Sequence, residues 1–317
     1  MRHFLVAIAV CAFAAGAHAQ QQRLSISTGG TGGVWYPMGG AMANVLSKYM
    51  PNTAATAEVT GASVDNLKLI AAQKTDVGFS MVDTAWDAMN GTGKFKGSKV
   101  SMRTLAVVHP LVMHVVTAEG RGIEKIADFK GKRISTGSPG SGTEVMALRI
   151  LEAYGINPDK DIIRERLSVT EAANALKDRK IDAFMHAAGI PLPAVTDVAA
   201  TPGIKVKLID HSDALQAMLK KYGPIYAAGK IPAHSYPGQE RESRTINVWG
   251  VLFVNAAMSE KLAHDIVKTL FEHHKELVLA HREAENMTLE NQTIGATAVP
   301  WHPGAVKYFA ERGIKVK

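Results

Sequence analysis

At 317 residues the chain exceeds the size at which one hydrophobic core usually stops growing, so two domains or one two-lobed body are expected. A single cysteine, Cys11, excludes a disulfide framework and thiolate zinc sites. The formal charge of +7 comes from Lys and Arg interspersed with Asp and Glu, without a polybasic block or interleaved aromatics; this suits attraction of small anions and gives no footprint for nucleic acid.

The chain opens with "MRHFLVAIAVCAFAAGAHAQ": a basic Arg2, an apolar run from Phe4 to Ala15, and a small-x-small site at Ala17-His18-Ala19. This pattern predicts a secretory signal peptide over residues 1–19, cut before Gln20, and hence export to the periplasm. Lipid attachment at Cys11 would place the cut inside the apolar run, so the downstream site fits better. Without its leader the chain has no cysteine nucleophile.

Short β-rich runs then alternate with amphipathic helical stretches: "LSIS" with "PMGGAMANVLSKYM", "TAEVT" with "VDNLKLIAAQK", "DVGFS" with "VDTAWDAMNG". After "TLAVVHPLVMHVVTAE" the rhythm restarts at "KRIST", followed by "EVMALRILEAYG", "EAANALKDRKIDAFMHA", "IKVKLID" and "SDALQAMLKKYG". "GPIYAAGKIPAHSYPGQERESRT" reads as an irregular connection, "INVWGVLFVN" as a strand, and "SEKLAHDIVKTLFEHHKELVLAHRE" as one long helix. The alternation predicts an α/β fold with parallel strands. The tetrapeptide "ISTG" occurs at Ile26–Gly29 and again at Ile134–Gly137, each time as a strand end entering a Gly- and hydroxyl-rich loop and a helix. Open α/β folds place ligands at such carboxyl ends, so each copy is expected to begin its own lobe.

In "TGSPGSGTE", Gly142 and its neighbouring glycines let backbone amides approach a ligand, while Ser138, Ser141 and Thr143 add hydroxyls and the following helix points its positive end at the same spot. That combination holds an anion, commonly a carboxylate. "TGGTGGVWYP" repeats it with Thr31, and two tight turns with no ligand remain the plainer explanation for either loop alone. Trp35 and Tyr36 would wall an apolar slot, and Ser80, Met81 and Asp83 would reach it from the end of "DVGFS". His114 and His186 sit at predicted strand ends, each either a satisfied buried histidine or a ligand contact. Walker A, G-x-S-x-G, dinucleotide and H-E-x-x-H motifs all fail on inspection, so no catalytic residue, cofactor or metal site is expected.

Together "STGGTGGVWYPMGGAMANVLSK", "DVGFSMVDTAWDAMNGTG", "FKGKRISTGSPGSGTE", "IPAHSYPGQE" and "WHPGAVKYFAERG" resemble the TAXI solute receptors of TRAP transporters, in the family's order and over nearly the whole chain beyond the leader. The resemblance implies a two-lobed periplasmic binding protein of Venus-flytrap fold with a hinge between lobes. It implies a monomer that closes over glutamate, 2-oxoglutarate or a related dicarboxylate and delivers it to a permease driven by an ion gradient. Three departures bear on the ligand: Trp35-Tyr36 where the family has Tyr-Tyr before Pro, Met81-Val82 where it has Gln-Ser before the retained Asp83, and His109 where a Tyr often precedes Pro. The expected organisation is residues 20–120 with 245–317 in one lobe and 121–244 in the other. An exported enzyme or a periplasmic ligand sensor using the same cleft are the alternatives.

Overall fold

The computed structural model describes residues 21–294 and 298–316; the expected leader, with Cys11, lies outside them. Strand β1 (Gln22–Ser27), helix α1 (Trp35–Tyr49), β2 (Thr53–Glu58), α2 (Ser63–Ala71), β3 (Val77–Met81) and α3 (Val82–Asn90) follow the predicted alternation, with β1 parallel to both β2 and β3. The long β4 (Met102–Ala118) then leads to β5 (Arg133–Ser135), α4 (Gly142–Ala153), β6 (Ile163–Glu165), α5 (Val169–Lys177) and β7 (Ala183–Ala188). There β5 is parallel to β6 and β7, as β1 is to its own neighbours. After α6 (Pro193–Ala200), β8 (Val206–Leu208), α7 (Leu215–Tyr222) and β9 (Ala227–Ile231), a second long strand, β10 (Ser243–Asn255), returns the chain to α8 (Glu260–Glu272), α9 (His274–Ala280) and α10 (Pro303–Glu311).

The strand order β2-β1-β3-β10-β4-β7-β5-β6 makes the architecture two-lobed. One end of β10 pairs with β3 and the other with β9, while β4 passes from β10 to β7 and β8. The same two strands therefore carry both crossings. At their middle, His109 pairs with Gly250 and Val107 with Val251, which leaves Val108 as the extra residue of a β-bulge. A bulge re-aims side chains and bends the strand, and it accommodates Pro110 next to it. Gln292 braces this point by accepting from Val107 N at 2.7 Å and donating to Val107 O at 3.0 Å.

Three expectations change. The strands are not all parallel: β10 runs antiparallel to β3, β4 and β9, and β4 antiparallel to β7 and β8, because the two crossing strands return the chain between the halves. The Pro- and Gly-rich stretch before β10 contains β9, whose main chain is held by β10 rather than by its own β propensity. The single long helix is two, because His273 leaves helical geometry and instead stacks on Tyr49 of α1, ring centroids 3.4 Å apart. The repeated tetrapeptide gains a structural role: Thr28 N and Oγ1 both donate to Glu58 O at the end of β2 (3.0 and 2.7 Å). Thr136 N donates in the same way to Glu165 O at the end of β6 (3.0 Å). Each copy locks a strand end to its parallel neighbour just before the loop.

Candidate functional site: a cavity between the lobes

The carboxyl ends of β1, β2, β3, β5 and β6 open onto one cavity, with about 620 Å³ of non-atom space, mouth included. The first lobe contributes Gly29, Gly30, Gly33 to Trp35, Thr60 to Ser63, and Met81; the second contributes Ser138, Ser141 to Thr143, Ser168, Val169 and His186. His109 and Leu111 of β4, at the crossing, complete it.

The lobes touch around the rim. Val64 N and Asp65 N, at the start of α2, donate to Gly140 O of the opposite lobe at 3.0 and 3.2 Å, so a carbonyl of one lobe caps a helix of the other. A Cβ on Gly142 would lie 2.5 Å from Ser63 Oγ and 2.6 Å from Met81 Sδ, and one on Gly32 would lie 2.4 Å from Thr170 Oγ1. Behind the cavity α3 and α4 share a buried charge cluster. Arg149 Nη2 donates to Asp87 Oδ2 (2.6 Å) and Nη1 to Tyr226 Oη (2.9 Å), while Tyr226 donates to Asp83 Oδ2 (2.7 Å).

Among the described residues, none that lines the cavity is Lys, Arg, Asp or Glu. Its two histidines are neutral near pH 7, because burial pushes His109 down to about 4 and His186 down to about 3. The electrostatics therefore come from the backbone. Helices α1, α2, α3, α4 and α5 all begin at the cavity, and the first N–H groups of a helix have no partner within it. Each start carries up to roughly half a positive charge. That is reduced where Gly140 O, Ser141 Oγ and Ser168 Oγ already cap N–H groups of α2, α4 and α5 and where Asp65, Asp83, Glu144 and Glu171 sit in the first turns. The N–H groups still uncapped are what favour an anion without any cationic side chain.

The loop hydroxyls have a second duty. Ser141 Oγ caps α4 by accepting from Glu144 N (3.0 Å) and donates to Ser138 O (2.8 Å). Thr143 Oγ1 accepts from Ala187 N (3.2 Å) and lies 3.4 Å from His186 Nδ1, tying α4 to β7. Ser141→Ala is accordingly expected to cost about 1 kcal/mol as a lost cap. Thr143→Val should cost about 1–3 kcal/mol by orphaning the buried Ala187 N–H. Urea denaturation of the ligand-free variants measures both, and unchanged midpoints would mean that these bonds contribute nothing to folding.

Of the sequence candidates, Trp35, Met81, Ser138, Ser141, Gly142, Thr143 and His186 line the cavity. Five others do not. Thr31, in the loop, and Tyr36, in the first turn of α1, are exposed to solvent. Ser80 is buried and donates to Met81 O, because side chains alternate along β3 and Met81 takes the cavity side. Asp83 is consumed by Tyr226, Thr84 N and Arg149, and burial raises its pKa against their pull. His114 is a satisfied core histidine, accepting from Tyr236 Oη (2.7 Å) at Nε2 and donating from Nδ1 to Val112 O (2.9 Å). The third loop, Thr60 to Ser63, was missed, although "VTGAS" repeats the strand, Thr-Gly, helix order of the other two. Ala62 there holds φ +79°, a strained conformation for a residue with a Cβ, at the start of α2. Ser168 was also legible, as the first residue of a capping box with Glu171. Two buried polar atoms of cavity-lining residues have no partner among the described residues: Trp35 Nε1 and His109 Nε2.

The sequence pattern of the NMT1-like family matches residues 26–313. The fold is similar to that of several solved binding proteins at low identity. The periplasmic aliphatic sulphonate binding protein SsuA from Escherichia coli matches at 16% identity and TM-score 0.51, covering 92% of this chain and 83% of that one. MatC from Rhodopseudomonas palustris, with bound malate, matches at 11% and 0.53, covering 84% and 92%. A putative L-cystine ABC transporter protein from Listeria monocytogenes matches at 15% and 0.50, covering 84% and 95%. Among the described residues no helix is long and apolar enough to cross a membrane.

Proposed function

The chain belongs to the NMT1-like family, and from that premise we propose that it is the solute-binding component of a transport system, capturing a small organic anion between its lobes for a membrane permease. One observation carries this reading: five helix starts converge on a cavity that both lobes line and that has no charged side chain. The likeness to TAXI receptors supports a finer assignment, a monomeric periplasmic receptor of a TRAP-type transporter. The malate held by MatC is an anion of the same kind. The proposed lobes are residues 20–120 with 245–317, and 121–244; within the crossing strands β4 and β10 the change of neighbours falls inside those bounds, beside the bulge at His109 and Gly250, since Val112–Ala118 already pair with β7 and β8. A sensor would use the same cavity but would not support uptake through a permease. An enzyme would turn the bound acid over, whereas the Thr143 hydroxyl beside His186 is already engaged with Ala187 N.

The proposed ligand class is the dicarboxylates related to glutamate and 2-oxoglutarate, since several half-charges together can balance two carboxylates. The α-substituent discriminates within that class. An ammonium needs acceptors around it, and no carboxylate lines the cavity now that Asp83 is tied to Tyr226 and Arg149. 2-Oxoglutarate is therefore expected to bind more tightly than glutamate by about tenfold or more. Paired calorimetry, with native mass spectrometry for a co-purified acid, tests this. Tight glutamate binding with a silent oxo acid would overturn the discrimination, and failure of every organic anion would overturn the function.

A further inference from the structure

The two unpartnered polar atoms at the cavity are chemically opposite. Trp35 Nε1 carries a hydrogen and can only donate. His109 presents Nδ1 to two acceptors, Pro110 O at 2.8 Å and the Glu283 carboxylate at 3.7 Å, so Nδ1 carries the proton and Nε2 of the neutral ring is left as an acceptor. Both side chains are buried, His109 wholly and Trp35 to within 7%. Their residues meet beside Gly250: a Cβ built there would lie 3.5 Å from Trp35 Cζ2, beside the Nε1 edge of the indole, and 3.3 Å from the main-chain O of His109, its partner across the sheet. A buried donor and a buried acceptor without partners, on two residues that line one cavity, ask for an occupant that both accepts and donates.

Resting on the anion reading above, we propose that Trp35 and His109 read a hydroxyl on the ligand, so that the preferred solute is a hydroxy acid rather than the corresponding oxo acid. The hydroxyl accepts from Trp35 Nε1 and donates to His109 Nε2. A ketone satisfies the indole and leaves the imidazole nitrogen facing a second acceptor. An ammonium satisfies the imidazole and faces the indole N–H with no lone pair. Both departures from the family's aromatic residues, Trp35 and His109, thereby serve one contact. The bulge at Val108 is what turns the His109 position toward the cavity.

The test is calorimetry at pH 7.5 with two matched pairs, 2-hydroxyglutarate against 2-oxoglutarate and lactate against pyruvate, using both enantiomers of each hydroxy acid. The wild-type protein should bind the hydroxy member of at least one pair about tenfold or more tightly. In Trp35→Phe and His109→Phe, checked for folding by circular dichroism, that preference should fall to within about threefold, because each variant removes one half of the donor and acceptor pair. Equal or tighter binding of the oxo acids by wild type would overturn the inference, as it would if a water molecule filled the same place. A preference retained in both variants would also overturn it. If neither member of either pair binds, nor any other organic anion, the anion reading itself falls and takes this inference with it.

Discussion

Replacing Arg149 with methionine is expected to destabilise the protein by about 3–5 kcal/mol at neutral pH, the cost of breaking a buried ion pair from one side. Arg149 comes from α4 of the second lobe, and the carboxylates it serves, Asp83 and Asp87, come from α3 of the first. Without the guanidinium, Tyr226 still donates to Asp83, yet two carboxylates remain in low dielectric with no cation between them. The pH dependence identifies the cause. Burial already raises the pKa of Asp83 from its ordinary 3.8, opposed chiefly by Arg149 and then by the bonds from Tyr226 and Thr84. Removing Arg149 raises it further. A carboxyl whose folded pKa lies above its unfolded value favours folding below the unfolded value and loses that contribution as pH rises through the folded one. The deficit of Arg149→Met should therefore be largest near pH 7.5 and shrink as pH falls toward about 5. Urea denaturation at the two pH values measures it, and a deficit below about 1 kcal/mol, or one independent of pH, would show that the cluster is solvated.

Gly142→Val is expected to weaken ligand binding at least about a hundredfold, roughly 2.7 kcal/mol. Gly142 opens α4 within the second lobe, and its backbone suits any residue there. The obstacle is in the other lobe: a Cβ would press on Ser63 Oγ and Met81 Sδ, with Ser63 Cβ at 3.0 Å. Ser63 cannot turn aside freely, since its Oγ accepts from Met81 N at 3.1 Å. Parting the lobes relieves the clash, so the variant should favour an open form and a ligand that bridges them should lose one side of its contacts. Small-angle scattering should show the wild type compacting on addition of the bound acid and the variant failing to do so. Compaction and affinity like those of the wild type would show that the lobes need not meet at this point.

Most of the local architecture was legible before the fold was seen. The period of apolar residues set out the alternation of strands and helices, and the two "ISTG" loops and the Gly142 to Thr143 helix start were placed at the carboxyl ends of their strands, where they lie beside the cavity. Such features depend on neighbours in the chain: strand pleat, helix period, and the freedom of glycine. The Thr28 and Thr136 locks belong to the same class, although their partners, Glu58 and Glu165, are named only by the pairing.

What the sequence could not reveal was which polar groups would be used up by others. Asp83 and His114 carry the right chemistry for a ligand, yet Arg149 with Tyr226 claims the first and Tyr236 the second across separations of 66 to 143 residues. His109 appeared only as a departure from the family's pattern. It matters because β4 and β10 pair out of register around Val108, which brings its side chain to the cavity. Composition and periodicity determined the elements and the helix starts that attract an anion. Tertiary pairing alone decided which donors and acceptors stay open there, because a buried polar group is free or taken only in relation to residues far away in the chain.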